Sequence, residues 1–483
     1  MIAPGFIDMH SHSDVTLFDD PGGESKAYQG VTTEVTGNCS LSPFPAGKGG
    51  PKALQENVAL LSVIGHTDWT WNTLDDWAGA LESSGISINL APQLGQAALQ
   101  VASGAIDDRP VTRDEMREMQ RLAAEAMEMG AFSLSTGLSL APSGYATTDD
   151  VVALCKSINH YEGAFYATHA RMGNGKHLSS IEEAIEIGQR AEIPVQFSHM
   201  AIIDRRVFGE GPAMIDLLVK AREGGLDITY DVYPYTAAGA GVEQLIPLWV
   251  QEGTIADFLG RIRDPQLRPR IREEVAAGLG GLEPLWEAWY VGYIHTEANR
   301  HFIGKNVEEI AREREIEPAE AVLQLLEEED GLVPGRVHNR FEGDVRYFVG
   351  HDLAMIGSDG LAVAPNGPFG SSLPHPRFYG TYPRILGRYV RDEPVLTLEN
   401  AIHKMSGFPA QRMSMKDRGL VKKGLVADLV VFDPETVIDN ATWEDPHQYP
   451  DGIPFVLVNG VPIIDKGKHT GARPGKVLRR GAA

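Results

Sequence analysis

The chain has 483 residues and sets 43 Lys and Arg against 66 Asp and Glu, a formal charge of -23. That charge repels nucleic acid phosphates and anionic lipid surfaces, and no basic stripe interrupts it, so neither nucleic acid nor membrane is an expected partner. With no long apolar run, no signal-peptide start and only Cys39 and Cys155 as cysteines, the composition predicts a large cytoplasmic enzyme without a disulfide framework.

The first element is the apolar stretch Ile2 to Ile7, which runs into Asp8-Met9-His10-Ser11-His12. Alternate side chains of an extended strand share a face, so His10 and His12 present both imidazoles to one side, half of a metal site. A second strand, Val31 to Thr36, is followed by Gly37 and Asn38, where it turns into a loop carrying Cys39. The Gly47 to Lys52 stretch lacks phosphate-loop spacing and reads as a flexible connection. Arg113 to Met129 has Met116, Met119, Leu122, Ala123 and Ala126 at helical spacing, with the methionines as core filler, and Val151 to Leu154 carries Cys155 into the core.

Ala164 to His169 and Pro194 to His199 read as strands that end in histidine. Between them lies a helix over Ser179 to Ile187, with Ser180 and Glu183 spaced as a capping box, and this strand-helix-strand unit favours parallel strands. A helix over Met214 to Glu223 precedes a strand from Asp227 to Val232. From about Gln251 to Tyr347 the pattern is irregular, a barrel segment carrying insertions, in which Glu327 to Asp330 reads as a solvated helix end. Ala354 to Asp359 is a further strand that ends in a possible ligand. Past Gly419 the runs 424–433 and 455–464 are β-rich with no helix between them, so residues 1–418 are expected to form a barrel and 419–483 part of a small β domain.

Taken singly, each of these histidines, the cysteine and the aspartate is more often a structural residue. Their common position at strand ends changes the reading. The C-terminal rim of the strands in an alternating strand-helix barrel is open, so strands that each deliver one or two ligands there surround a metal no single segment could hold.

The motifs Pro4-Gly5-Phe6-Ile7-Asp8-Met9-His10-Ser11-His12, Gly37-Asn38-Cys39, His169-Ala170-Arg171, Ser198-His199, Tyr230 to Thr236, Ser358-Asp359-Gly360 and His375-Pro376-Arg377 resemble the amidohydrolase superfamily, and within it the D-aminoacylase branch. The resemblance runs over nearly the whole chain. It implies a distorted (β/α)8 barrel with zinc at the rim and deacylation of a small-molecule substrate, an N-acyl-D-amino acid. Cys39, His169 and His199 would hold a tightly bound zinc, and His10, His12 and Asp359 a weaker second position. Relatives that cleave cyclic amides bridge two metals with a carboxylated lysine, and the matching stretch 131–136 has none. Asp359 would take the water proton and return it to the leaving amine, Tyr233 or Tyr235 would donate to the oxyanion or the substrate, and Arg377 would pair with the substrate carboxylate.

The sequence departs from the branch in three places. Ala201 stands where a carboxylate-binding lysine is usual, so either Arg377, or a basic residue such as Arg205 or Arg206, compensates, or the substrate is not a simple N-acyl amino acid. Gln96 and its neighbours replace a histidine motif, and the chain starts inside what reads as the first barrel strand, which predicts exposed sheet edges and poor solubility. A different zinc hydrolase, acting on a dipeptide, lactone or cyclic amide, and a catalytically dead scaffold are the competing readings.

Overall fold

In the computed structural model, which describes the chain apart from residues 60–64, 66, 174, 279–280 and 482–483, the strands are short, and those of the parallel core are buried on both faces. In chain order they are β1 (Ile2–Pro4), β2 (Phe6–Asp8), β3 (Val31–Thr36), β4 (Asn89–Pro92), β5 (Leu94–Gly95), β6 (Leu134–Gly137), β7 (Tyr166–His169), β8 (Val195–Phe197), β9 (Ile228–Val232), β10 (Ala238–Gly239), β11 (Trp289–Val291), β12 (Gly335–Val337), β13 (Ala354–Ile356), β14 (Leu429–Val431), β15 (Phe455–Val458), β16 (Val461–Asp465) and β17 (Lys468–His469). A three-stranded parallel sheet (β2-β3-β4) and a six-stranded one (β13-β9-β8-β7-β6-β5) share a strand, because β4 and β5 run on through Gln93, whose N–H donates to Thr36 O. The result is an eight-stranded parallel barrel. It closes between β2 and β13 through Met9 N–H to Ile356 O (3.3 Å), Asp359 N–H to His10 O (2.7 Å) and a parallel bridge from Ser11 to Gly360. Ile7, Val35, Ala91, Ala167 and Met355, from strands on opposite sides of the barrel, meet in one apolar cluster that fills its interior.

The irregular segment is an insertion between β9 and β13. It builds the antiparallel sheet β10-β12-β11 and a second apolar core around Phe258, Ile262, Ile310 and Leu325, and it stands over the barrel rim. At the other end, β14 to β17 form a small antiparallel sheet that also takes in β1, whose Ile2 to Pro4 pair with Val431 to Leu429. The small sheet therefore uses residues 2–4 as well as the C-terminal segment, and the barrel starts at Phe6. Met1 and Ile2 are exposed on it. No helix among the described residues is long and apolar enough to cross a membrane.

Several local expectations need correction. The helix after β7 spans His177–Ala191 and starts before Ser180, so Ser180 Oγ donates back to His177 O, while Glu183 accepts from Arg171 and Thr148 in place of a cap. Capping boxes occur elsewhere, at Thr73/Asp76, Thr112/Glu115 and Thr254/Asp257. Residues 47–52 form a 3-10 turn running into the helix Gly50–Ala59 and not a loose connection. Glu329 is buried rather than solvated, because its carboxylate accepts from the N–H groups of His295 and Thr296 and from Asn299.

Candidate metal centre

At the C-terminal rim the strand-end residues converge. Cys39 follows β3, His169 ends β7, His199 follows β8 and Asp359 follows β13. Cys39 (φ 52), His199 (φ 35) and Asp359 (φ 50) all take left-handed backbone, which side chains other than glycine seldom adopt and which concentrates at functional sites. The turn into Cys39 needs Gly37 (φ +72), where a Cβ would lie 2.2 Å from Gln93 O, and Gly357 is required where a Cβ would meet that of His10 at 2.6 Å.

Cys39 Sγ lies 3.3 Å from His10 Nε2 and 3.5 Å from His199 Nε2, and His199 Nε2 is 2.9 Å from His169 Nδ1. His12 Nε2 reaches Asp359 Oδ1 at 3.0 Å, with His10 Nε2 at 3.6 Å from the same oxygen. The donor atoms of Cys39, His169 and His199 all lie within 4.8 Å of one another, as do those of His10, His12 and Cys39, so the thiol stands between two ligand groups. A sulfur with imidazole nitrogens suits zinc, whose bonds of about 2.0–2.3 Å place neighbouring donors roughly 3.3–3.7 Å apart.

The electrostatics match such a centre. Burial alone would raise the Cys39 thiol, but the charges of His10 and His199 override it and hold it well below its ordinary value. Burial works against His12, yet Asp359 and Cys39 raise it to about 9. Burial would also raise Asp359, and Arg377 followed by His12 instead holds it well below the usual carboxylate range.

Two layers beneath the cluster include Asp8, Asp231 and Ser358, which lie in the motifs quoted above without having a role assigned there. Asp231 Oδ1 accepts from His10 Nδ1 (3.0 Å) and from the His199 N–H (2.8 Å), while Oδ2 accepts from Gln196 Nε2 (3.0 Å). One carboxylate thus fixes the His10 tautomer and the backbone of a second candidate ligand. At the barrel seam, fully buried Lys26 donates to Asp8 Oδ2 (2.8 Å) and Ser358 Oγ (2.5 Å) and pairs with Glu34 Oε1 (3.0 Å). Asp8 Oδ1 in turn accepts the N–H groups of Ser358 (2.8 Å) and His10 (3.3 Å).

The cluster opens into a cavity of about 630 Å³ roofed by the insertion. Tyr233 lines it and its buried hydroxyl has no hydrogen-bond partner. Tyr235 does not share that position. The strand ends at Val232, and Tyr235 N–H turns back to Tyr233 O (3.0 Å), which breaks the alternation that would have aimed both rings alike; Tyr235 packs on His375 and Trp443 under Arg384. Arg377 lines the cavity, with Nη1 2.8 Å from Asp359 Oδ2. Arg205 and Arg206, the other cations expected to serve a carboxylate, are turned to Glu287 and Asp204.

Comparison with known proteins gives the same assignment. Residues 1–464 match the model of the amidohydrolase family. Over 100% of this chain and 88% of its relative, the sequence is 34% identical to a D-aminoacylase of Alcaligenes xylosoxydans xylosoxydans. The solved N-acyl-D-glutamate deacylase of Bordetella bronchiseptica, complexed with zinc and a phosphonate mimic of the tetrahedral intermediate, superposes with a TM-score of 0.82 at 29% identity, covering 99% of this chain and 89% of that one. A solved D-aminoacylase with a binuclear metal centre, activated by one metal and attenuated by the second, gives 0.81 at 31% identity over the same shares. The chain belongs to the amidohydrolase family.

Proposed function

We propose that this amidohydrolase uses zinc to cleave the amide bond of N-acyl-D-amino acids, releasing a carboxylate and a free D-amino acid. The observation that carries the reading is the convergence of Cys39, His169 and His199 beside the buried Asp359 carboxylate at the floor of a cavity wide enough for a small amide. The names of the similar deacylases supply the substrate class.

Cys39, His169 and His199 would hold the tight zinc, with His10, His12 and Asp359 at a weaker second position. Zinc bound there supplies Lewis acidity, which eases deprotonation of water and polarises the amide carbonyl. Asp359 accepts the water proton on its carboxylate and delivers it to the amide nitrogen, without which an amine is a poor leaving group. Arg377, ion-paired with Asp359, and His12, hydrogen-bonded to it, position the carboxylate and keep it ionised for the first of these transfers. The free hydroxyl of Tyr233 donates to the oxygen that gains charge as the carbonyl carbon becomes tetrahedral. Two free cysteines, one of them a candidate ligand, suit a reducing cytoplasm.

The test is amine release from paired N-acetyl-D- and N-acetyl-L-amino acids with zinc supplied and chelator as control. Chelator-sensitive release confined to D substrates is the expected result. Equal release from L substrates, or release that survives chelation, overturns the proposal. Asp359→Asn should retain zinc yet lose at least about a hundredfold in kcat, whereas Cys39→Ala should lose the tight zinc itself.

A further inference from the structure

Among the cations that line the cavity, Arg340 is the anomaly. It follows β12 in the inserted sheet, and its N–H donates to Thr236 O at 3.1 Å, which pins its loop against the segment that carries Tyr233. Its guanidinium carbon lies 4.2 Å from the centroid of the Tyr233 ring, and that of Arg377 lies 4.5 Å from the same ring. Arg377 has the Asp359 carboxylate at 2.8 Å and Arg206 has Asp204, but among the described residues no carboxylate stands within ion-pair distance of Arg340. The Nε of Arg340, the Nε of Arg377 and the Tyr233 hydroxyl are all buried without a hydrogen-bond partner.

A guanidinium taken out of water needs an anion or a full set of acceptors, and a ring face offsets only part of that cost. Here two guanidinium groups share one aromatic ring, a single protein carboxylate, Asp359, pairs with one of them, and both line the same cavity. Burial and the neighbouring Arg377 push Arg340 below its ordinary pKa, the direction expected of a cation that lacks its partner. An anion carried by the ligand would complete the set.

We propose that Arg340 is the specificity-determining anchor for a free carboxylate on the amine side of the substrate, held jointly with the open edge of Arg377. The assignment rests on the amide-hydrolase reading for the orientation of the ligand, since the nitrogen that Asp359 protonates must carry the carboxylate-bearing carbon. Arg377 then serves Asp359 and the ligand together, while Arg340 serves the ligand alone.

The experiment is calorimetric titration of the zinc-loaded protein with N-methanesulfonyl-D-leucine and with its carboxamide, both of which carry a sulfonamide in place of the N-acyl bond that the proposed reaction cleaves. Wild type is expected to bind the carboxylate at least about tenfold more tightly than the carboxamide. Arg340→Gln should weaken the carboxylate by roughly ten- to a hundredfold and leave the carboxamide within about threefold, which abolishes the preference. Should the glutamine variant fail to fold, Arg340→Lys keeps the charge but loses the two-point fork, and it should weaken the carboxylate alone, by less. No preference in wild type, a preference that survives in the variants, or parallel loss of both ligands would each overturn the proposal. Turnover does not enter these ratios, so an Arg340-dependent preference in a protein that releases no amine would refute the hydrolase reading and leave the anchor standing.

Discussion

Replacing Asp231 by asparagine should loosen the zinc without unfolding the barrel. The carboxylate makes three buried hydrogen bonds, two on Oδ1 from His10 and the His199 backbone and one on Oδ2 from Gln196. An asparagine can keep its carbonyl oxygen where Oδ1 lies and turn its NH2 toward Gln196. Gln196 can answer by flipping its amide only at a cost, since its other partner, the Thr229 hydroxyl (2.6 Å), donates to it while already accepting from Arg412 Nε and Nη2. The change therefore removes a charge and weakens the outer contact with Gln196, while both bonds on Oδ1 are kept. A bond from imidazole to a buried carboxylate contributes about 1.5–3 kcal/mol, roughly twice the neutral kind, and loss of an outer-shell carboxylate costs about 10–100-fold in metal affinity. Zinc affinity measured against a chromophoric chelator should fall within that range, while the melting temperature of the metal-free protein shifts by a few degrees at most. Asp231→Ala should cost more on both counts, because it orphans His10 Nδ1, the His199 N–H and the Gln196 amide at once. An asparagine variant that binds zinc as tightly as wild type would refute the reasoning, since Asp231 would then be an interior polar residue with no part in ordering the centre.

Lys26→Met leaves Asp8 and Glu34 buried without their cation, so unfolding in urea should show a loss of about 3–5 kcal/mol; a loss under 1 kcal/mol would show that the cation contributes little. Zinc binding should release protons: His12, raised to about 9 in the free protein, must give up its proton to act as a ligand. Affinity that depends on His12 should rise with pH and level off near 9, and calorimetry in buffers of different ionisation enthalpy should count the released protons; binding without proton release near neutral pH would argue against His12 as a ligand.

What the sequence makes legible is whatever lies on one strand. His10, His12, Cys39, His169, His199 and Asp359 each sit at the end of an apolar run, and the rim of a parallel barrel gathers such ends by geometry. What it hides is charge whose burial depends on distant partners. Asp231 in Tyr-Asp-Val looks like any polar strand residue until His10, 221 positions away, is placed against it. Lys26 has the look of a surface lysine until Ser358 and Asp8 enclose it, and Arg340 lies in the segment whose hydrophobic pattern follows neither a helix nor a strand period. Tyr235 departs from strand alternation for a local reason, since the strand ends at Val232 and a turn follows. The Ser180 capping box failed by one helical turn, as spacing alone cannot say which of several hydroxyls starts the helix.

The seam of the barrel ties these hidden charges to the visible ligands. Most neighbouring strands are joined by ladders, as β6 is to β7 over four residue pairs, but β2 and β13 meet through a few backbone bonds near His10 and Asp359. Lys26, Asp8 and Ser358 stand where further ladder bonds would have been, and Asp8 takes the N–H groups of both Ser358 and His10. The same carboxylate therefore closes the barrel and sets the height of a candidate ligand on each side of the seam. An error of one residue in that closure would separate His12 from Asp359 as surely as mutating either, so correct closure of the fold and correct assembly of the metal centre are one structural event.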